Sequence, residues 1–505
     1  MSSLLVHVAL TDSDSIIPNA KSTETVTDFY NRGLMTRRYA LAGVACSSIV
    51  SCCCIVTGTV IIISTHKISG TIQVISPITN LQSEMLSLTL SFIVTLCTES
   101  IGLMHNISLR SALASESRLI FSTNLRLMTA AHGWCNPNGV LLNGLMAVLL
   151  IISYASASLA QESGFIVGFP LLVLGIALFL QVIITLAGMR AVKILTWSSS
   201  PFDLTAALLH HTQLTPASFQ CMRSVSDLDI AEGPAKPSEA QPSAWHSHPR
   251  IQKVVVSLWG IVVACAGWAV LVRYKYTLSP SSSSSKWWSF FTDFNSSYAV
   301  GYIVAKKDDT ISFQLWILVF VNIAVVQGPL TLGLHCAELI ANVIQNERQW
   351  RCATARKGLH TVTNPLKLFL INPLGLFLFV VKPVLHWMFG YAFHFGFWTA
   401  FAIASGGNNA FAVGDFVIWT LCIALFIFAC IFTFSALRRP RGPQPAAYGH
   451  LQTLANLVDE WSPVMWWGHK EDGLLYCHAG RDFSVLRGSS IDALKKGRAI
   501  IRCWM

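Results

Sequence analysis

Glu99 is the residue with the most chemistry to account for. It stands inside the apolar run SLTLSFIVTLCTESIGLM, residues 87–104. A carboxylate in hydrocarbon is costly, so it is paired, protonated, or lines a cavity. Far along the chain, His335 and Glu338 close a second apolar run at i, i+3 spacing, which puts them on one helix face. Both runs travel toward the same side of a membrane. Glu99, His105, His335 and Glu338 are therefore expected at similar depth, as a candidate intramembrane polar cluster. Such a set could form a proton- or cation-linked site, because imidazole changes charge near neutral pH. It could equally be an interhelical clamp, with Glu99 hydrogen-bonded or protonated.

Other motifs are weaker. No tight Cys/His spacing is present, so neither a metal nor a cofactor is expected. There is no phosphate loop, nucleophile elbow, HExxH or dinucleotide fingerprint, so no catalytic residue is assigned. Gln181, Asn322 and Gln327 read as interhelical hydrogen-bonding residues. Gly328-Pro329 reads either as a break exposing carbonyls to an ion or as a plain kink.

These residues need spans to hold them. Of 505 residues, 53% are hydrophobic and 12% charged, about half the charge of a soluble chain. Mean hydropathy is +0.54. Several runs exceed the ~20 residues that cross a bilayer. The fold class is all-α: a polytopic helical membrane protein of about eight transmembrane helices, with a small cytoplasmic C-terminal module. Residues 1–38 are an N-terminal tail, and 39–193 hold helices one to four. Residues 194–250 are a polar loop rich in Pro, Ser and Glu, expected to be largely disordered. Residues 251–437 hold helices five to eight, and 438–505 form a tail or small module.

The spans are expected at 39–65, 86–107, 140–160, 164–189, 254–272, 312–334 and 416–437, with one crossing somewhere in 368–404. Residues 108–128 are too charged to cross and read as an interfacial or projecting helix. The pattern of span six continues past the membrane as one long helix. Lys367 and Lys382 bracket a short apolar stretch, so Lys382 is assigned to an outer connector, 382–415. This threading puts 28 of the 35 Lys and Arg on the side of both termini. Both ends are then cytoplasmic. The net charge of +10 is read as basic segments beside anionic lipid, not as nucleic-acid binding. Asn295, in an Asn-Ser-Ser sequon, falls in the largest outer loop as a candidate N-glycosylation site. Cytoplasmic protein partners would use residues 194–250 and 438–505.

Several phrases together carry a resemblance: CTESIGLMHNISLRSAL, RLIFSTNLRLM, SSSPFDLTAALLHHTQLTP, KPSEAQPSAWHSHP, LTLGLHCAELIANV and AAYGHLQTLANLVDEW. Over about residues 30–480 the chain resembles a group of uncharacterised multi-pass membrane proteins of basidiomycete fungi. The resemblance implies the membrane class and carries no activity to transfer. The leading functional reading is a non-catalytic membrane scaffold or interaction protein. The alternative is a small-solute or ion transporter using Glu99, His335 and Glu338. A membrane enzyme comes third, for want of any paired catalytic motif.

Overall fold

A computed structural model describes residues 33–66, 71–73, 80–123, 127–134, 136–162, 165–217, 220, 222–227, 240–277, 303–305, 313–361, 367, 370–396, 408–413, 415–469 and 477–480. Asn295, residues 1–32, 228–239 and 481–505 lie outside them. Among the described residues, eight helices are long and apolar enough to cross a membrane. The chain is an all-α, multi-pass helical membrane protein.

The helices follow the apolar windows. The first four spans are α1 (Leu34–Thr65), α2 (Asn80–Ser115), α3 (Val140–Leu159) and α4 (Gly168–Arg190). A short helix α5 (Pro201–His210) follows, then α6 (Pro249–Thr277) and α7 (Phe313–Cys336). After one turn residue, Ala337, comes α8 (Glu338–Arg351). The last spans are α9 (Pro373–Ala392) and α10 (Asp415–Leu437), and a short helix α11 (Leu451–Leu457) lies beyond them.

Two apolar cores divide the bundle. One is built from α1 to α4, the other chiefly from α6 to α10. In the first core, small residues bring α1 and α4 into backbone contact. A Cβ on Gly58 would sit 2.7 Å from the Leu172 nitrogen, and Ser51 Oγ donates to the Gly175 carbonyl at 2.7 Å. Close approach of this kind is how helices gain dispersion energy in lipid, where no hydrophobic effect drives them together.

The connectors fall into two sets. At one end of the bundle, β1 (Thr71–Gln73) and β2 (Gln161–Glu162) both pair with β3 (Phe165–Val167). There too, β4 (Ile303–Ala305) and β6 (Phe393–Gly396) pair with β7 (Asn408–Val413). At the other, basic end, segments from three parts of the chain form one folded layer. Phe202, Met222, Trp350, Leu454, Val458, Met465 and Trp467 share its core. There β5 (Leu359–His360) pairs with β8 (Val464–His469), which pairs with β9 (Cys477–Gly480).

Three expectations change or narrow. The described part of 194–250 is packed, with Phe202, Leu204, Ala207, Ser224 and Ala244 buried. Composition gave no hint of this, because the apolar partners come from 338–361 and 438–480. Residues 108–115 continue α2, which agrees with the projecting helix and not the interfacial one, and beyond Ser115 the described chain is irregular. Finally, α7 runs unbroken through Pro329. The loss of one backbone donor is tolerated in a span packed against its neighbours.

Candidate functional site

The site begins with where α9 starts. Asn372 caps the helix, its side chain accepting from the Gly375 N–H at 3.1 Å, and Pro373 takes the first helical position. Both choices are favourable at an N-terminus. Starting at 373 puts Lys382 in the middle of the span, not in an outer connector. Its side chain is 2% exposed.

An ammonium at that depth must find acceptors. Lys382 Nζ donates to Glu99 Oε1 at 2.5 Å and also to Glu338 Oε1, and it lies 3.4 Å from His335 Nδ1. His335 Nδ1 is 3.2 Å from Glu338 Oε1 and 3.5 Å from Glu99 Oε1. Four residues from α2, α7, α8 and α9 thus converge. Lys382 and His335 are enclosed, whereas each carboxylate keeps 27% of its side-chain surface open. The exposed surface of the cluster is thus that of its two carboxylates.

Around it lies a polar and aromatic lining. The Tyr154 hydroxyl donates to Thr95 Oγ1 at 3.1 Å and meets Thr98 Oγ1 at 3.2 Å. The Tyr154 ring stacks on His386 at 3.7 Å between centroids and lies 5.9 Å from the His335 ring. His386 follows Lys382 by one helical turn. Gln327 Nε2 donates to Ser158 Oγ at 3.2 Å and lies 3.1 Å from His386 Nδ1. His386 Nε2 and Gln327 Oε1 are buried without a partner among the described residues. The line of polar groups runs along the contact between the two cores, with Glu99, Tyr154 and Ser158 on one side and His335, Lys382, His386 and Gln327 on the other.

Of the residues expected in the cluster, Glu99, His335 and Glu338 meet. His105 does not. It is buried farther along α2, its Nε2 2.5 Å from Asn143 Oδ1, in a network that reaches Asn138, Ser108 and the Gly188 carbonyl. Asn143 on α3 faces His105 directly, which removes it from the shared contact. Gln327 does bridge helices as its polarity suggested. Lys382, Tyr154 and His386 were missed. Lys382 stands near the centre of the helix 373–392, but in the sequence it reads as the boundary between two apolar stretches.

Glu99, His335 and Glu338 offer donor atoms within 4.8 Å of one another, a set able to hold a metal ion. The Lys382 ammonium already bonds both carboxylates, so the positive charge at this point is supplied by the chain. With both carboxylates ionised and His335 neutral, these four groups together would carry one excess negative charge. One added proton, or one monovalent cation, would neutralise it.

Comparison with protein-family models, with curated proteins and with solved structures finds no match to this chain. The site is read from its own geometry.

Proposed function

We propose that this protein is a proton-linked transporter of small solutes, with the Lys382 cluster as its proton-binding site. The observation that carries this reading is the gathering of two carboxylates and one imidazole around the Lys382 ammonium at the contact between two helical cores. Glu99 belongs to the first core, and its charged partners belong to the second. A proton on Glu99 weakens the attraction between them, because Lys382 then loses its carboxylate on the other core, whereas a proton on Glu338 or His335 strengthens it by leaving the second core's part of the cluster net positive toward Glu99. Proton binding is thereby linked to the relative position of the two halves, which is the coupling a transporter needs. The open surface of Glu99 and Glu338 gives the proton an entry.

The basic end is assigned to the cytoplasm from the excess of Lys and Arg there. The carboxylates then face the cytoplasmic half, and anionic lipid is the natural neighbour of that end.

A second reading, a membrane scaffold binding cytoplasmic proteins, is favoured by the folded layer at the basic end, which includes parts of 194–250 and 438–505. The two separate in proteoliposomes loaded with a pH-sensitive dye and challenged with amino acids, sugars, nucleosides and organic acids in turn. The transport reading expects at least one class to move the lumenal pH in wild type and not in Glu338→Gln. No response to any class, with insertion in both orientations verified, would overturn it in favour of the scaffold.

A further inference from the structure

Two buried charges among the described residues show how such groups are satisfied here. Lys382 has its two carboxylates, and Glu347 pairs with Arg351 at 2.8 Å and accepts the backbone N–H groups of Ala447 and Tyr448. Arg110 is different. It lies near the basic end of α2 and is 5% exposed. One guanidinium nitrogen, Nη2, donates to the Ser198 carbonyl at 3.1 Å, and Nε is buried with no hydrogen-bond partner. Among the described residues no carboxylate pairs with it. A buried guanidinium left without a counter-charge is strongly unfavourable.

A second arginine reaches the same place from another helix. The Arg37 guanidinium, on the first turn of α1, lies over the Trp197 ring at 5.4 Å. Trp197 and Ser198 are consecutive, so the two arginines flank adjacent residues of the segment that leaves α4. That segment is itself fixed. Trp197 and Ser198 are buried, and Ser198 N–H donates to Thr196 Oγ1 at 3.2 Å. The backbone of Gly33 is packed so closely on Ser198 that a Cβ there would lie 2.6 Å from its nitrogen. The start of α1, the last turns of α2 and the segment that follows α4 meet here.

We infer that Arg110 and Arg37, held against Trp197-Ser198, form a binding site for a phosphate group, as on an anionic phospholipid headgroup or a soluble phosphate. The guanidinium fork matches two phosphate oxygens at once. The Nε–H of Arg110 is a donor left without a partner among the described residues. This site is separate from the Lys382 cluster and does not depend on the transport reading.

The test uses the full chain purified in mild detergent and follows its unfolding temperature. Short-chain phosphatidic acid, phosphatidylcholine with the same chains, and inorganic phosphate are added separately. Wild type is expected to rise by several degrees with phosphatidic acid and to be unmoved by phosphatidylcholine. A rise with inorganic phosphate as well assigns the site to soluble phosphates; a rise with the lipid alone assigns it to a headgroup. Arg110→Gln is expected to weaken the effective ligand at least about tenfold. If that variant does not accumulate, Arg37→Gln and Arg110→Lys carry the test, with weaker binding expected in both. No rise with either phosphate in wild type, or an unchanged rise in the variants, would overturn the site.

Discussion

Replacing Lys382 by Met would leave Glu99 and Glu338 facing each other in a low-dielectric interior. Removing one partner of a buried ion pair costs roughly 3–5 kcal/mol, so K382M should lower the unfolding midpoint sharply. The double variant Lys382→Met with Glu99→Gln should recover part of that loss, because it removes the excess charge along with its counter-ion. Thermal unfolding of the two variants reads this directly, and additive losses would show that Glu99 and Lys382 do not interact. The same residues mark what was legible in the sequence. Glu99 and the His335/Glu338 pair were readable, because a charge in an apolar run has few explanations. Lys382 was not, because a lysine between two apolar stretches looks like a span boundary. Only the Asn372 cap and Pro373 set the helix start that encloses it. Tyr154 carried no signal, since an aromatic in a span is ordinary until its neighbours are known; His386 stood out with His394 as a polar residue of the 384–404 stretch, but nothing in the sequence tied it to Glu99.

At the scale of elements, α8 joins two places. Its first residue, Glu338, belongs to the charged cluster, and its later residues hold the folded layer at the basic end. Glu347 accepts two backbone N–H groups from 447–448, Asn346 donates to Ser122, and Trp350 donates to the Pro445 carbonyl. Glu347→Ala should therefore free residues 444–458 and make them sites of limited proteolysis, while the spans stay resistant. Cleavage no faster than in wild type would contradict that role. The same layer should respond to acid. Burial, with Arg250 and His450 nearby, pushes the His248 imidazole down to about 4, and its ring packs 4.1 Å from that of Phe121. His248 is then neutral in the fold and takes a proton more readily when unfolded. Its contribution is full above the unfolded value of about 6.5 and is lost as pH falls toward 4, on the order of 3 kcal/mol. Hydrogen exchange of residues 240–251 should speed up over that window in wild type and much less in His248→Phe; equal acceleration in both would place the sensitivity elsewhere. The packing of 194–250 was invisible in its Pro- and Ser-rich composition for the same reason that it is stable: its core is completed by chain more than a hundred residues away.

At the scale of the whole molecule, apolar length carried the architecture, and the eight helices long and apolar enough to cross a membrane sort the described connectors into two sets that pack among themselves. The sidedness built on the charge distribution makes its own prediction. Asn295 should be glycosylated in a eukaryotic host, with a glycosidase shift lost in Asn295→Gln, whereas a shift lost on mutating Asn106, whose sequon Asn106-Ile107-Ser108 falls at the cytoplasmic exit of the second span, would invert the threading. The central claim, however, concerns the excess charge where the two cores meet. The direct measurement is proton uptake by the full chain in nanodiscs, titrated between about pH 8 and 5, with wild type and Glu338→Gln compared under identical conditions. The added proton belongs to the coupled cluster and not to one residue. Wild type should take up about one proton more per chain than the variant, whose remaining carboxylate is already balanced by Lys382. Equal uptake by the two would contradict a proton-binding site at Lys382 and leave the cluster as a structural clamp.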